Sequence, residues 1–238
     1  MGLRYILPLN LAGLVLLGSW IAPVTSSLWQ AIDDFMFWHF NAFIAPSHPL
    51  FIHLLSLASV RLFDLVIFAA MSALLLACAL CDRPPEQRIA KWLAAGLLML
   101  AVAGIATVLI HHAIPYEHAS PTDYYPNAHR LDTLTSLPVK DSAPNSFPSD
   151  HGAMAMIFAA FMLRFAPRAG GVAAIVLALA ITAPRLLAGA HWFSDVYMGS
   201  LALTLLITPW ALFSPLHRLL QRWLARRLNA LSKPLSIR

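Results

Sequence analysis

Charge is what this sequence has least of. Asp, Glu, Lys and Arg make up only 11% of its 238 residues, against 59% hydrophobic residues and a mean hydropathy of +0.70. A soluble domain carries about a quarter charged residues, so the deficit excludes a soluble globular protein and implies an integral membrane one. Short strands of alternating polarity are also lacking, which argues against a β-barrel and leaves helices as the spanning form. Cysteine is nearly absent. Cys78 and Cys81 share one apolar segment; without a thioredoxin-like pattern around them, their C-x-x-C spacing reads as structural rather than redox. No internal repeat or low-complexity segment is present.

What the sequence does have is long apolar runs. A helix needs about 20 residues to cross a bilayer. Six segments approach that length: Leu3 to Val24, Leu62 to Leu80, Trp92 to Ile114, Pro148 to Phe165, Val172 to Leu187 and Asp195 to Phe213. Within the first, Arg4 precedes an apolar run to Ala22 like that of a leader peptide, yet no small-x-small cleavage site precedes a soluble domain, so it reads as a retained span. Ser26 to Pro49 is rich in Trp and Phe but holds Asp33 and Asp34, which suits an interfacial helix. Pro115 to Phe147 is the longest polar stretch and reads as an ordered loop or cap. From His217 onward, six Lys and Arg residues, Lys233 and Arg238 among them, suggest an amphipathic helix on an anionic leaflet. The expected fold is an all-α integral membrane protein. It is a single domain of six transmembrane helices, an interfacial helix, a periplasmic loop and a basic cytoplasmic tail over 217–238.

The net charge of +5 fits membrane orientation better than nucleic-acid binding. With both termini on one side, twelve of the sixteen Lys and Arg residues fall on that side. The positive-inside rule makes it the cytoplasm. Arg61, Arg130, Lys140 and Arg185 fall outside and call for a separate reason.

Two polar segments flank the hairpin of the last apolar runs, so both emerge on the outer face. Ser146-Phe147-Pro148-Ser149-Asp150-His151-Gly152 starts a helix: Pro148 suits its first turn. Ser149 and the free backbone N–H groups there form an anion site, helped by the helix dipole. Arg185 ends the next run and suits a bidentate grip on phosphate. His191 and Asp195 are four apart, so on a helix they share a face. The carboxylate then holds one ring nitrogen and leaves the other free to attack phosphorus. Polar groups clustered at a membrane face are costly without a function.

Pro148-Ser149-Asp150-His151 and Pro184-Arg185-x5-His191-x3-Asp195 resemble the motifs P-S-G-H and S-R-x5-H-x3-D of the type 2 phosphatidic acid phosphatase superfamily. The resemblance implies His191 as nucleophile through a phosphohistidine, Asp195 as its orienting group and His151 as the proton donor to the leaving oxygen. It implies Arg185 and Ser149 as phosphate ligands, with no metal or cofactor. Asp150 replaces the family Gly, and Pro184 replaces the Ser that helps hold phosphate. The family's first motif, K-x6-R-P, is not recognisable. Ala119-Ser120-Pro121 stands as its remnant with His118 near the Arg position, and Arg130 and Lys140 are candidates for the missing cations. Further runs, including Gly189-Ala190-His191-Trp192-Phe193, Lys140-Asp141, Ser19-Trp20 and Arg61-x-Phe63-Asp64, are similar to the lipid A 1-phosphate phosphotransferases of Gram-negative inner membranes. That likeness covers nearly the whole chain. It implies phosphoryl transfer from undecaprenyl diphosphate to lipid A at the periplasmic face of the inner membrane.

Other polar residues have plainer readings. His118 and His129 read as solvated loop residues, His111 and His112 as interfacial, Asp33 and Asp34 as helix-start residues, and Arg61 with Asp64 as a structural pair. Three functions stay open: a phosphotransferase, a lipid phosphatase in which water is the acceptor, and a non-enzymatic carrier. The carrier is disfavoured because carriers place polar sites at mid-membrane.

Overall fold

A computed structural model describes residues 2–83, 85–113 and 116–231. Ten helices follow one another among them: α1 (Leu3–Ile21), α2 (Pro23–Asn41), α3 (Pro49–Ser59), α4 (Arg61–Cys81), α5 (Pro85–Val108), α6 (Pro121–Tyr124), α7 (Asp150–Phe165), α8 (Arg168–Leu187), α9 (Leu201–Phe213) and α10 (Leu216–Leu231). A π-helical turn, Leu109–Ala113, extends α5, and another, Asp195–Ser200, leads into α9. Among the described residues the only strand-like pairing is an isolated antiparallel bridge between Val60 and Val139.

Proline sets much of this punctuation. Pro23, Pro49 and Pro121 open α2, α3 and α6 in the first turn, where their missing N–H costs nothing. Pro209 lies inside α9 and cannot donate to the carbonyl of Leu205. Asn10 of α1 takes up that acceptor: its amide donates to Leu205 O at 2.8 Å and Leu206 O at 3.0 Å. Trp210 Nε1 returns a bond to Asn10 Oδ1 at 3.0 Å. One proline thus fixes where α1 docks.

Helix α7 is the axis. Ala153, Ala155, Ile157, Phe158, Phe161 and Met162 are buried. One side packs with Leu98, Val102 and Leu203 of α5 and α9, the other with Ala174, Ala178 and Ile181 of α8. Around this core Leu62, Leu65, Phe68, Leu100, Val172 and Val176 are exposed, as a lipid-facing belt requires. At one end α10 covers Ala90 and Ala94 of α5 with Leu224. At the other end the loop between α5 and α7 folds over the helix mouths.

Among the described residues, five helical stretches are long and apolar enough to cross a membrane: Leu3–Ile21, Arg61–Cys81, Arg88–His112, Arg168–Leu187 and Asp195–Phe213. The expected span from Pro148 to Phe165 corresponds to α7. Its 16 residues reach about 24 Å at 1.5 Å per residue, short of the hydrocarbon thickness. The first expected span stops early, because Pro23 begins a new helix. The expected interfacial helix ends at Asn41, and a separate apolar helix, α3, follows it. Ile114, Pro115, Lys233 and Arg238 lie outside the described residues.

Candidate active site

The two motif segments are stitched together by backbone and hydroxyl bonds. Ser149 N donates to Asp195 O at 3.2 Å. Ser200 Oγ reaches Ser149 O at 2.7 Å and Asp195 O at 3.1 Å. Glycine makes this approach possible: a Cβ on Gly199 would meet Phe147 Cε2 at 2.7 Å and Pro148 Cβ at 2.9 Å. The turn leading to His191 passes through Gly189, whose φ of +79° suits a residue without Cβ.

His191 sits on this turn, ahead of the helix. Its Nδ1 lies 2.9 Å from the carbonyl oxygen of Ser146 and 3.6 Å from Asp195 Oδ2. The nearer acceptor is therefore a backbone carbonyl of the first motif. A proton on Nδ1 satisfies it and leaves the Nε2 lone pair available. Asp195 is fully buried. Its Oδ2 accepts from Trp192 N at 2.8 Å, and its Oδ1 lies 3.3 Å from His118 Nδ1. The His118 ring stacks on Trp192 at 5.3 Å. The reading of His118 as a solvated loop residue is thus overturned: two histidines share one carboxylate.

Arg185 is 3% exposed at the end of α8. Its Nη2 lies 2.5 and 2.6 Å from the two oxygens of Asp64, in the first turn of α4. Asp64 Oδ2 is also 3.6 Å from His151 Nε2. Asp64 therefore pairs across the bundle with the motif arginine rather than with Arg61, three residues away. Only its place, in the first turn of an apolar helix at the motif end, hinted at this.

His151, Arg185, His191 and Lys140 line one cavity of about 840 Å³, with His111, Glu117, Asn145 and Asp150 at its wall. His111 Nε2 lies 3.4 Å from Asp150, so it belongs to the cavity rather than to a lipid interface. Ser149 is not brought to the wall. It is 1% exposed, and its hydroxyl accepts from Gly152 N at 3.3 Å as the cap of α7. Arg130 is also elsewhere, because Asp123, Asp132 and Asp141 hold it at 3.2 to 3.5 Å.

A further shell comes from α2. Asp33 is 6% exposed and is no helix-start residue. It accepts from Ser194 N at 2.7 Å and Ser194 Oγ at 2.6 Å. Burial pushes its carboxyl up to about 6, against the lowering effect of the Ser194 bonds. Asp34 accepts from the Tyr125 hydroxyl at 2.7 Å. Trp20, at the end of α1, stacks on Phe147 with centroids 4.7 Å apart.

The arrangement is a histidine with one ring nitrogen fixed, a second histidine, and a buried arginine around a common void. The PAP2 superfamily profile matches residues 110–218, which hold His151, Arg185, His191 and Asp195. The lipid A 1-diphosphate synthase of Escherichia coli (strain K12) is 37% identical over 214 residues, 90% of this chain and 89% of that relative.

The chain belongs to the PAP2 superfamily.

Membership makes it a multi-pass membrane enzyme of the phosphatase and phosphotransferase type. Among solved structures, a transmembrane PAP2-type phosphatidylglycerolphosphate phosphatase from Bacillus subtilis is similar at a TM-score of 0.49 and 19% identity, covering 97% of this chain and 98% of that one. Asp64, the partner of Arg185, lies outside the residues that the profile matches.

Proposed function

We propose that this PAP2 enzyme moves the terminal phosphoryl group of undecaprenyl diphosphate onto the 1-phosphate of lipid A. The observation that carries the reading is the Ser146 carbonyl 2.9 Å from His191 Nδ1, because it leaves Nε2 as the nucleophile. Nε2 attacks the terminal phosphorus, and the bond to the bridging oxygen breaks with its electron pair on undecaprenyl phosphate. His151 supplies a proton there. An oxygen of the acceptor phosphate then attacks the phosphohistidine, the N–P bond breaks, and His191 is restored. Arg185 and Lys140 supply positive charge to the phosphates, and no metal ion takes part in this scheme. The name of the 37%-identical relative supports lipid A as the acceptor.

The scheme sits in a topology of six spans, α7 being the short one, with both termini cytoplasmic and the cavity at the periplasmic face of the inner membrane. Support comes from the cations. Arg4, Arg83, Arg88, Lys91, Arg164, Arg168 and the four arginines of α10 belong to the helix ends away from the cavity.

The test incubates purified protein with undecaprenyl diphosphate labelled on the terminal phosphorus, with and without lipid A. Label on lipid A is the expected result; free phosphate alone would replace transfer with hydrolysis. His191→Ala should lower turnover by something of the order of 10⁶-fold, and Asp195→Asn by at least about tenfold less. Normal turnover by His191→Ala would sink the phosphohistidine.

A further inference from the structure

The phosphate-binding reading gives Arg185 to a phosphoryl group, yet its Nη2 is held by both oxygens of Asp64 at 2.5 and 2.6 Å. The same carboxylate lies 3.6 Å from His151 Nε2, so one anion ties together two groups the chemistry needs. The pair is well shielded, with side-chain exposures of 3% for Arg185 and 17% for Asp64. The first turn of α4 favours a carboxylate through its helix dipole. The exposed residues that follow Asp64 along α4, Leu65, Val66 and Phe68, are apolar, and the carboxylate turns to Arg185 and His151 instead.

A buried arginine without a counterion is unfavourable, and Asp64 removes that problem. It also creates a competition. A phosphate reaching Arg185 Nη2 must displace the carboxylate or sit beside it, and two anions on one nitrogen repel. A free phosphate ion has only its own charge to set against Asp64. A phosphate carried on a lipid adds burial of its chain, and binding energy from that remote part offsets the exchange at the reacting end.

We propose that Asp64 is a positioning and selectivity residue: it keeps Arg185 and His151 in place and yields Arg185 to lipid-anchored phosphates in preference to free phosphate. The inference rests on the reading that Arg185 receives the phosphoryl group, and the two are separable by experiment.

Binding of inorganic phosphate to the full chain in detergent is measured by calorimetry. Asp64→Asn should bind phosphate at least tenfold more tightly than the wild type, and Asp64→Glu, which restores the charge, should return to weak binding. The double variant Asp64→Asn/Arg185→Gln should lose the gain. A merely structural Asp64 predicts the opposite sign, since a misplaced Arg185 would bind phosphate less. Unchanged or weaker binding by Asp64→Asn overturns the inference and leaves the assignment of Arg185 standing. A gain that survives Arg185→Gln overturns that assignment as well. Thermal unfolding of each variant checks the fold, and Asp64→Ser, neutral and smaller, replaces the amide if Asn does not pack.

Discussion

A histidine proposed as a nucleophile depends on the group that fixes its other nitrogen. Here two acceptors converge on His191 Nδ1, a carbonyl at 2.9 Å and a carboxylate at 3.6 Å, while His118 competes for the same carboxylate at 3.3 Å. Asp33 adds a titrating group one residue from Asp195 through its bonds to Ser194. Its folded-state value of about 6 lies above the ordinary carboxylate value, so the fold favours the protonated form. That contribution is complete below about pH 4 and is lost as pH rises through 6, at a cost of about 3 kcal/mol. Melting curves of wild type and Asp33→Asn between pH 4.5 and 8 should therefore converge at the acid end. At the alkaline end Asn should be the more stable, because its amide still bonds Ser194 without a buried charge. A parallel pair of curves would show that Asp33 does not titrate in this range. The spacing of His191 and Asp195 was legible in the sequence. The links from Asp195 to His118 and from Arg185 to Asp64 span 77 and 121 residues. No local period encodes such contacts, so they waited for the tertiary structure.

At the scale of elements, the site depends on how closely the turn before α9 meets the start of α7. Gly199 is the point of closest approach, with 2.7 Å to Phe147 Cε2 for a Cβ placed there. Gly199→Ala should push the two motifs apart and destabilise by about 1–3 kcal/mol, the usual range for overpacking. It should lower turnover along with the melting temperature. Gly104→Ala, where nothing lies within 4 Å, is the control and should leave turnover unchanged. Helix types and most boundaries followed from apolar run length and proline. The segment around Asn41 did not: its aromatic density suggested one interfacial helix from Ser26 to Pro49, but α2 ends at Asn41 and Pro49 opens α3. Arg130 misled for a related reason. A loop cation opposite a phosphate site is attractive in sequence, but three aspartates of its own loop reach it first.

For the molecule as a whole, the separation of the cavity from the basic end makes topology testable. Arg227→Cys on α10 and Ser142→Cys at the cavity wall, each in a Cys81→Ser background, should react with a membrane-impermeant maleimide from opposite sides of sealed vesicles. Reaction from one side would invalidate the proposed orientation. That most cations gather at the helix ends away from the cavity was readable from the chain, because successive apolar runs alternate in direction. The loop between α5 and α7 was readable only as polar and proline-rich, since its shape comes from contacts such as Lys140 N to Ser59 O at 3.1 Å and Thr122 N to Gly189 O at 3.3 Å.

The bond from Asn10 to the carbonyl released by Pro209 has a consequence in time. The partners are 195 residues apart, so α1 meets its acceptor only when α9 has been made. Until α9 is made the Asn10 amide has no such partner, and an unsatisfied polar group in hydrocarbon costs several kcal/mol. Helix α1 is thus made well before the helix it docks on. A chain halted before α9 leaves an unpaired amide within the membrane, a mark by which an unfinished copy differs from a finished one.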